Sequence, residues 1–389
     1  MKLNDISASV AVTGIGTAGL GEASGFTELE ILAHAAQAAV ADAGLGMKDI
    51  DGLMTASFSR FLPSLSVAEY LNVQPAWMDS SNVGGASYVN YLLTAALALN
   101  AGLCNAVLVV YGSTARTQRD FREHIRARGQ LEPQPYEAPY KPFNPATSYA
   151  LAAARHMHEF GTTREQLAQV AVSARKWAQL NPDAFMREAL SVQDVLASRM
   201  ISDPLTVRDC CLLTDGAGAF VMTRADRAGH ASAKPVYLLG AGASQTHRQI
   251  SGMPDLTTTA AVESGRKAYA MAGLQPSDID VLQLYDAFTI NVILFLEDLG
   301  FCRKGEGGAF VQSGAIEPGG GLPVNTNGGG LSCVHPGMYG VFTVIEAVRQ
   351  LRGDAGDRQV PQVETVLCHG NGGVLASQVT AILGSAATR

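Results

Sequence analysis

Residues 41–53 read ADAGLGMKDIDGL and residues 270–282 read AMAGLQPSDIDVL, with eight of thirteen positions identical at a constant offset of 229. A repeat of this kind constrains the fold before any local signal does, because one supersecondary unit is built twice and the copies must pack. Each copy closes an alanine-rich run of helical period, stops at a glycine, turns through Asp-Ile-Asp and enters an apolar stretch. In the first copy the helix begins near Thr27, carries Ile31, Leu32, Ala35, Ala39 and Val40 at helical spacing, and ends at Gly44. The continuations agree as well. A strand near 52–56 leads to the helix of VGGASYVNYLLTAALALNAG (83–102) and the strand AVLVVYGS (106–113). A strand at 281–285 leads, through a longer excursion, to the helix of HPGMYGVFTVIEAVRQLRG (335–353) and a strand and turn in VETVLCHGNGG (363–373). Two strand-helix-strand units, each burying an apolar helix, predict layered α/β architecture. The glycine-rich helix starts at Gly84 and Gly337 are counterparts, and a pseudo-twofold brings them together at the centre.

The second of these starts carries the most chemistry. Residues 328–340 read GGGLSCVHPGMYG. Three glycines let the backbone pass close to a ligand, Pro336 and Gly337 interrupt regular structure, and the apolar run at 341–351 predicts a helix immediately after. His335 and Tyr339 then share a turn at or near a helix N-terminus, where free N–H groups and the helix dipole favour a developing oxyanion. A glycine-rich connection with an incidental histidine is the plainer alternative.

The rest of the chain narrows the choice. Residues 10–15 form an apolar strand that runs into Gly14, Gly16 and Gly19, which spell GxGxxG. A dinucleotide fold needs a helix to open at the third glycine, and here Gly21, Ser24 and Gly25 continue a loop. Between the copies lies an insertion. Its Arg116, Arg119, Arg122 and Arg126 fall on one face of a helix, either a solvated surface or a clamp for the phosphates of a nucleotide-like ligand. Pro133, Pro135, Pro139, Pro142 and Pro145 require irregular loop, and helices resume from Thr147. Residues 214–219 then precede a short strand at 220–223. The expected division is 1–112 with 205–235 as one half, 113–204 as an inserted loop domain, and 236–389 as the other half.

Length and composition fit this plan: 389 residues, 47% hydrophobic and 16% charged, supply a sizeable core. A net charge of −7 argues against nucleic acid or an anionic membrane as the main partner. There is no signal-peptide core and no run of about 18 uncharged apolar residues, so the expected location is cytoplasmic. The six cysteines form no CxxC pair, which indicates neither a metal site nor a disulfide framework; most are expected as buried reduced thiols.

Taken in order, these segments resemble the thiolase superfamily, specifically the thiolase part of sterol carrier protein X and related bacterial thiolase-like proteins. The likeness is carried by the duplicated halves, TDGAGAFV (214–221), PVNTNGG (323–329), SCVHPG (332–337) where the family has Gly-His-Pro, and CHG (368–370) where it has Cys-x-Gly. It implies a duplicated five-layer α-β-α-β-α thiolase fold with an inserted loop domain and a homodimer or tetramer. It also implies acyl-coenzyme A as the substrate, with no tightly bound cofactor. By position it makes His335 and Cys368 catalytic and gives the backbone N–H groups of Gly85 and Gly370 to an oxyanion hole. Ser87, Asn325, Asn327 and Gly328 fall at the substrate.

Two departures from the family pattern matter. Counting back from Ala101-Gly102, the nucleophilic cysteine of thiolases falls on Gly85, so there is no thiol. Ser87 lies two positions on, but a serine nucleophile needs a general base, and helix capping is its ordinary duty. Tyr285-Asp286-Ala287-Phe288 stands where thiolases have Asn-Glu-Ala-Phe and the sterol carrier group has histidine first. Tyr285 either donates a hydrogen bond to a thioester oxygen or packs as a core aromatic. With His335 and Tyr285 flanking that oxygen, an enolate is stabilised while covalent acyl transfer is missing, and Cys368 or Tyr339 is left to move a proton. The expected reaction is retro-aldol cleavage of a β-hydroxyacyl-CoA. Some cysteine-lacking thiolase-like proteins that this chain resembles act as aldol lyases on steroid side chains with a small OB-fold partner protein. The alternatives are an acyltransferase of the acetyl-CoA acetyltransferase type using Ser87 or Cys368, and a non-catalytic acyl-CoA or lipid-binding protein.

Overall fold

A computed structural model of the chain describes residues 6–118, 135–228 and 233–388. β1 (Val10–Gly21) leads to α1 (Glu28–Asp42), whose start is fixed by a reciprocal cap: Thr27 Oγ1 accepts from Glu30 N, and Thr27 N donates to the Glu30 carboxylate at 2.7 Å. β2 (Gly52–Met54), α2 (Pro63–Tyr70), β3 (Trp77–Asp79), α3 (Ser87–Asn100) and β4 (Ala106–Ser113) follow. The insertion supplies α4 (Ala146–Phe160), α5 (Arg164–Gln179), α6 (Val192–Leu196) and a small hairpin of β5 (Met200–Ser202) and β6 (Leu205–Thr206). β7 (Asp215–Arg224) closes the first half. The second half consists of β8 (Val236–Gln245), α7 (Ala261–Ala272), β9 (Val281–Leu284), α8 (Thr289–Asp298), α9 (Gly307–Gln312), α10 (Gly340–Arg352), β10 (Thr365–Gly372) and β11 (Ser377–Gly384).

The strands form one nine-stranded sheet in the order β3-β2-β4-β7-β1-β8-β11-β10-β9. Its two sides carry the same pairing pattern in reverse. β2 and β4 are parallel, then β7 and β1 antiparallel; β9 and β10 are parallel, then β11 and β8 antiparallel. They meet where Ala11 and Val12 of β1 pair with Tyr237 and Val236 of β8. α1 covers β1, β7 and β4 on one outside, α7 covers β8 and β11 on the other, and α3 and α10 pack between the halves against strands of both. That gives five layers. α10 is buried at every position but Arg349, so its polar groups need internal partners. Glu346 pairs with Arg358 at 2.9 Å and accepts from Thr326 at 2.8 Å; Arg352 reaches Asp42 and the Thr13 carbonyl.

Several local expectations change. β1 does not stop at Ile15: Gly14 and Gly16 are strand residues, and a Cβ on them would overlap the Ala39 and Ala35 carbonyl oxygens of α1. The glycines therefore serve close helix-on-strand packing, not a phosphate turn. The strand expected at 220–223 spans Asp215–Arg224, because the small residues before Phe220 make room for Val341, Phe342 and Ile345 of α10 over Gly218. Arg116 lies over the Phe185 ring, 4.7 Å from its centroid, and bonds the Leu213 carbonyl. Arg119, Arg122, Arg126 and Pro133 lie outside the described residues. All six cysteines are free; Cys104, Cys333 and Cys368 are buried, and Cys210, Cys211 and Cys302 are partly exposed. Among the described residues no helix is long and apolar enough to cross a bilayer.

Candidate active site

The two glycine-rich helix starts meet backbone to backbone. A Cβ on Gly340 would overlap the Gly85 carbonyl oxygen, and one on Gly372 would overlap that of Val83. Beside this crossing opens a cavity of about 710 Å³, walled by the approach to α3 (Asn82 to Gly85), the residue after β9 (Tyr285), the loop before α10 (His335, Gly337) and the end of β10 (Asn371 to Gly373).

Tyr285 is 4% exposed and held from three sides. Its N donates to the His369 carbonyl at 3.0 Å, its hydroxyl donates to the Gly337 carbonyl at 3.2 Å, and the same oxygen accepts from Tyr339 N at 3.1 Å. Burial pushes its phenol well above the usual value, which keeps it a neutral donor. His335 meets its ring edge-on, centroids 5.6 Å apart at 83°. The His335 backbone is pinned by its N donating to Thr214 Oγ1 at 2.9 Å. As a residue His335 is partly exposed, yet its Nε2 is buried and has no hydrogen-bond partner among the described residues. Burial pushes the imidazole down to about 4, so it is neutral at physiological pH. A neutral imidazole and a neutral phenol thus stand side by side at the cavity wall, and the imidazole has one nitrogen without a partner among the described residues.

The other residues singled out from the sequence lie close by but turn elsewhere. Tyr339 immediately precedes α10 and is fully buried. Its hydroxyl donates to Asn327 Oδ1 at 3.1 Å and does not line the cavity; His335 sits in the loop before the helix rather than on the same helical turn. Cys368 lies inside β10 with its thiol toward the Thr343 carbonyl at 3.5 Å, and burial pushes it up. Gly370 pairs with Val379 of β11 and packs on Ala86 and Val89, whereas Gly85 does line the cavity. Ser87 Oγ donates to the Gly84 carbonyl at 2.7 Å and accepts from Val83 N at 2.9 Å, which commits it to the turn before α3. Asn325 accepts from Leu284 N at 2.7 Å and Asn327 from Gly329 N at 2.8 Å. Gly328, at a φ of +101°, lies against Ala178. The three glycines thus serve packing inside the protein rather than a ligand.

Other residues at the site escaped the sequence reading. Asp286 is fully buried, its carboxylate oxygens accept from Gly330 N at 2.6 Å and Leu331 N at 3.3 Å, and burial pushes it up to about 7. Its place in the altered four-residue motif was the available signal. Tyr149, from the insertion, stacks on Phe288 at 4.3 Å, donates to the Gly373 carbonyl and accepts from Asn371. Cys211 also lines the cavity, with a thiol that burial pushes up and therefore keeps protonated.

Two mirrored α/β halves around one cavity at their joined helix starts define the thiolase type of fold. The chain matches the model described as thiolase C-terminal domain-like over residues 242–385. It is 34% identical over 376 residues to an acetyl-CoA acetyltransferase of Methanothermobacter thermautotrophicus, covering 94% of this chain and 96% of that protein. It is 33% identical over 389 residues to a 17-hydroxy-3-oxo-4-pregnene-20-carboxyl-CoA lyase of Mycobacterium tuberculosis, covering 96% and 98%. The solved Ltp2-ChsH2(DUF35) aldolase superposes with a TM-score of 0.87 at 32% identity over 98% of both chains. The chain belongs to the thiolase superfamily.

Proposed function

We propose that this protein catalyses retro-aldol cleavage of a β-hydroxyacyl-CoA, releasing a ketone or aldehyde and a shortened acyl-CoA. The relatives include an acyltransferase and lyases, so site chemistry has to decide between them. The observation that carries the reading is the wall itself: a phenol and an imidazole face the cavity where residue 85 has no side chain, while Ser87 and Cys368 are turned away from it. In this scheme the thioester oxygen lies between Tyr285 Oη and His335 Nε2; the phenol turns its one proton from the Gly337 carbonyl to that oxygen, and the imidazole takes the tautomer with its proton on Nε2. The β-hydroxyl gives its proton to solvent in the cavity, the freed oxygen electrons close the carbonyl while the Cα–Cβ electrons move into the thioester, and the enolate is held by the two donors until Cα takes a proton back from the same solvent; no net proton is consumed. Loss of one such donor typically costs about a hundredfold or more in rate. The aromatic side of the cavity, Phe58, Tyr149 and Phe288, suits a bulky apolar acyl group.

A small partner protein bearing an OB-fold, a homodimer or tetramer, and a cytoplasmic location complete the proposal. The partner is supported by the superposed aldolase, whose name includes a second component. The test is incubation with β-hydroxyacyl-CoA thioesters, alone and after co-expression with such a partner, following the carbonyl product and the shortened acyl-CoA. Release of both without radiolabel retained on the protein is expected. Acetyl-CoA condensation to acetoacetyl-CoA with label trapped on a cysteine would sink the lyase reading. Binding without turnover in either preparation would favour an acyl-CoA carrier.

A further inference from the structure

We infer that Gly85 and Tyr285 act as one steric unit that sets the class of chemistry this cavity performs. The phenol stands where any side chain on residue 85 would stand, so a donor from 285 and a functional group from 85 exclude each other. A Cβ built on Gly85 overlaps Cε2 of Tyr285 and lies 2.5 Å from its Oη and 2.6 Å from its Cζ, closer than non-bonded atoms approach. Neither side can yield. The ring is buried, hydrogen-bonded at backbone and hydroxyl, and set edge-on between His335 and Tyr339, each 5.6 Å away. Behind residue 85 the backbone of α10 is already in contact, since Gly340 has no room for a Cβ over the Gly85 carbonyl. Gly85 does not have positive φ, so its backbone conformation does not call for glycine. The missing side chain is what lets Tyr285 reach Gly337 and Tyr339, which makes Gly85 a positioning residue. The chemical consequence rests on the proposed role of Tyr285; the steric claim does not.

The test is a cycle of Gly85→Ala, Tyr285→Asn and the double variant in the full-length chain. Gly85→Ala is expected to lower the melting temperature by several degrees and lyase turnover at least tenfold. With Tyr285→Asn already present, the same change should move the melting temperature by no more than about one degree. An equal loss in both backgrounds, or failure of both Gly85→Ala proteins to fold, overturns the proposal; folding of the double variant alone is its strongest support. A second arm replaces Gly85 by Cys, with and without Tyr285→Asn, against a wild-type background of native thiols. Only the pair should form an acyl-enzyme with labelled acetyl-CoA. There the introduced thiolate attacks the thioester carbonyl, the carbon–sulfur bond to CoA breaks, and CoA leaves as its thiol. Equal labelling by Gly85→Cys alone counts against the unit. If Tyr285→Phe keeps full lyase turnover while the cycle shows coupling, the functional reading fails and the steric unit stands.

Discussion

Burial sets the protonation state of the candidate site before any substrate arrives: the Tyr285 phenol and the His335 imidazole are both neutral. Tyr285→Phe keeps the ring and removes only the hydroxyl, so it should lower kcat/KM by roughly ten- to a hundredfold, about 1 to 3 kcal/mol of barrier. Unchanged release of shortened acyl-CoA by this variant would take Tyr285 out of the mechanism. The same burial makes stability depend on pH in two opposed directions. His335 and His369 are both pushed down to about 4 from an ordinary value of about 6.5. Between those values the unfolded chain takes up protons that the folded chain refuses, so their contribution falls as pH drops through that window. Asp286, pushed up from 3.8 to about 7, is the reverse: the folded chain keeps a proton that the unfolded one releases, and stability falls as pH rises from 4 to 7. Asp286→Asn removes the second slope, so the variant's stability, from denaturant melts at a series of pH values, should rise more steeply between pH 4 and 7 than that of the wild type. Gly85, Tyr285 and His335 stood out in the sequence because each alters or ends a short motif. The direction of Cys368 could not be read, because β10 is buried along all eight residues and shows no period-two alternation to tell its faces apart. Tyr149 meets Asn371 across 222 residues with no local pattern linking them.

The elements that frame the site depend on glycines as spacers between layers. Gly16 holds α1 against β1, and a methyl group there would overlap the Ala35 carbonyl, a backbone atom with no rotamer to change. Gly16→Ala should therefore cost about 1 to 3 kcal/mol. Gly321→Ala, at an exposed position with open space around the added carbon, should stay within about 0.5 kcal/mol of wild type. Equal destabilisation of the two in urea melts would mean that helix-on-strand spacing is not what Gly16 provides. This packing also explains which elements were legible. The helix after Thr27 and the strand Ala106–Ser113 followed from apolar period and the stop at Gly44 alone. β1 and β7 run longer than expected because Gly, Ala and Thr read as loop in isolation, and only contact with α1 and α10 makes them strand.

On the scale of the whole molecule the duplication does not yield two independent bodies. α10 belongs by sequence to the second half, yet its Val341, Phe342 and Ile345 close over Gly218 of β7, and its first residue rests on Gly85. α3 makes the converse crossing onto β8, β10 and β11. Cutting the chain at residue 235 would expose both helices, and each large apolar side chain returned to water costs about 1.5 to 3 kcal/mol. Three such residues on α10 alone approach the whole net stability of an ordinary domain, about 5 to 15 kcal/mol. The fragment 236–389, although it contains the stretch matched by the C-terminal domain model, should therefore lack a cooperative thermal transition by circular dichroism and elute as expanded or aggregated material. Co-expression with residues 1–235 should restore one transition shared by both pieces, because the central helices then regain both sides of the nine-stranded sheet. A fragment 236–389 that melts sharply by itself at the full-length temperature would mean that α3 and α10 stabilise neither half, and that the cavity lies at a joint between two self-sufficient domains.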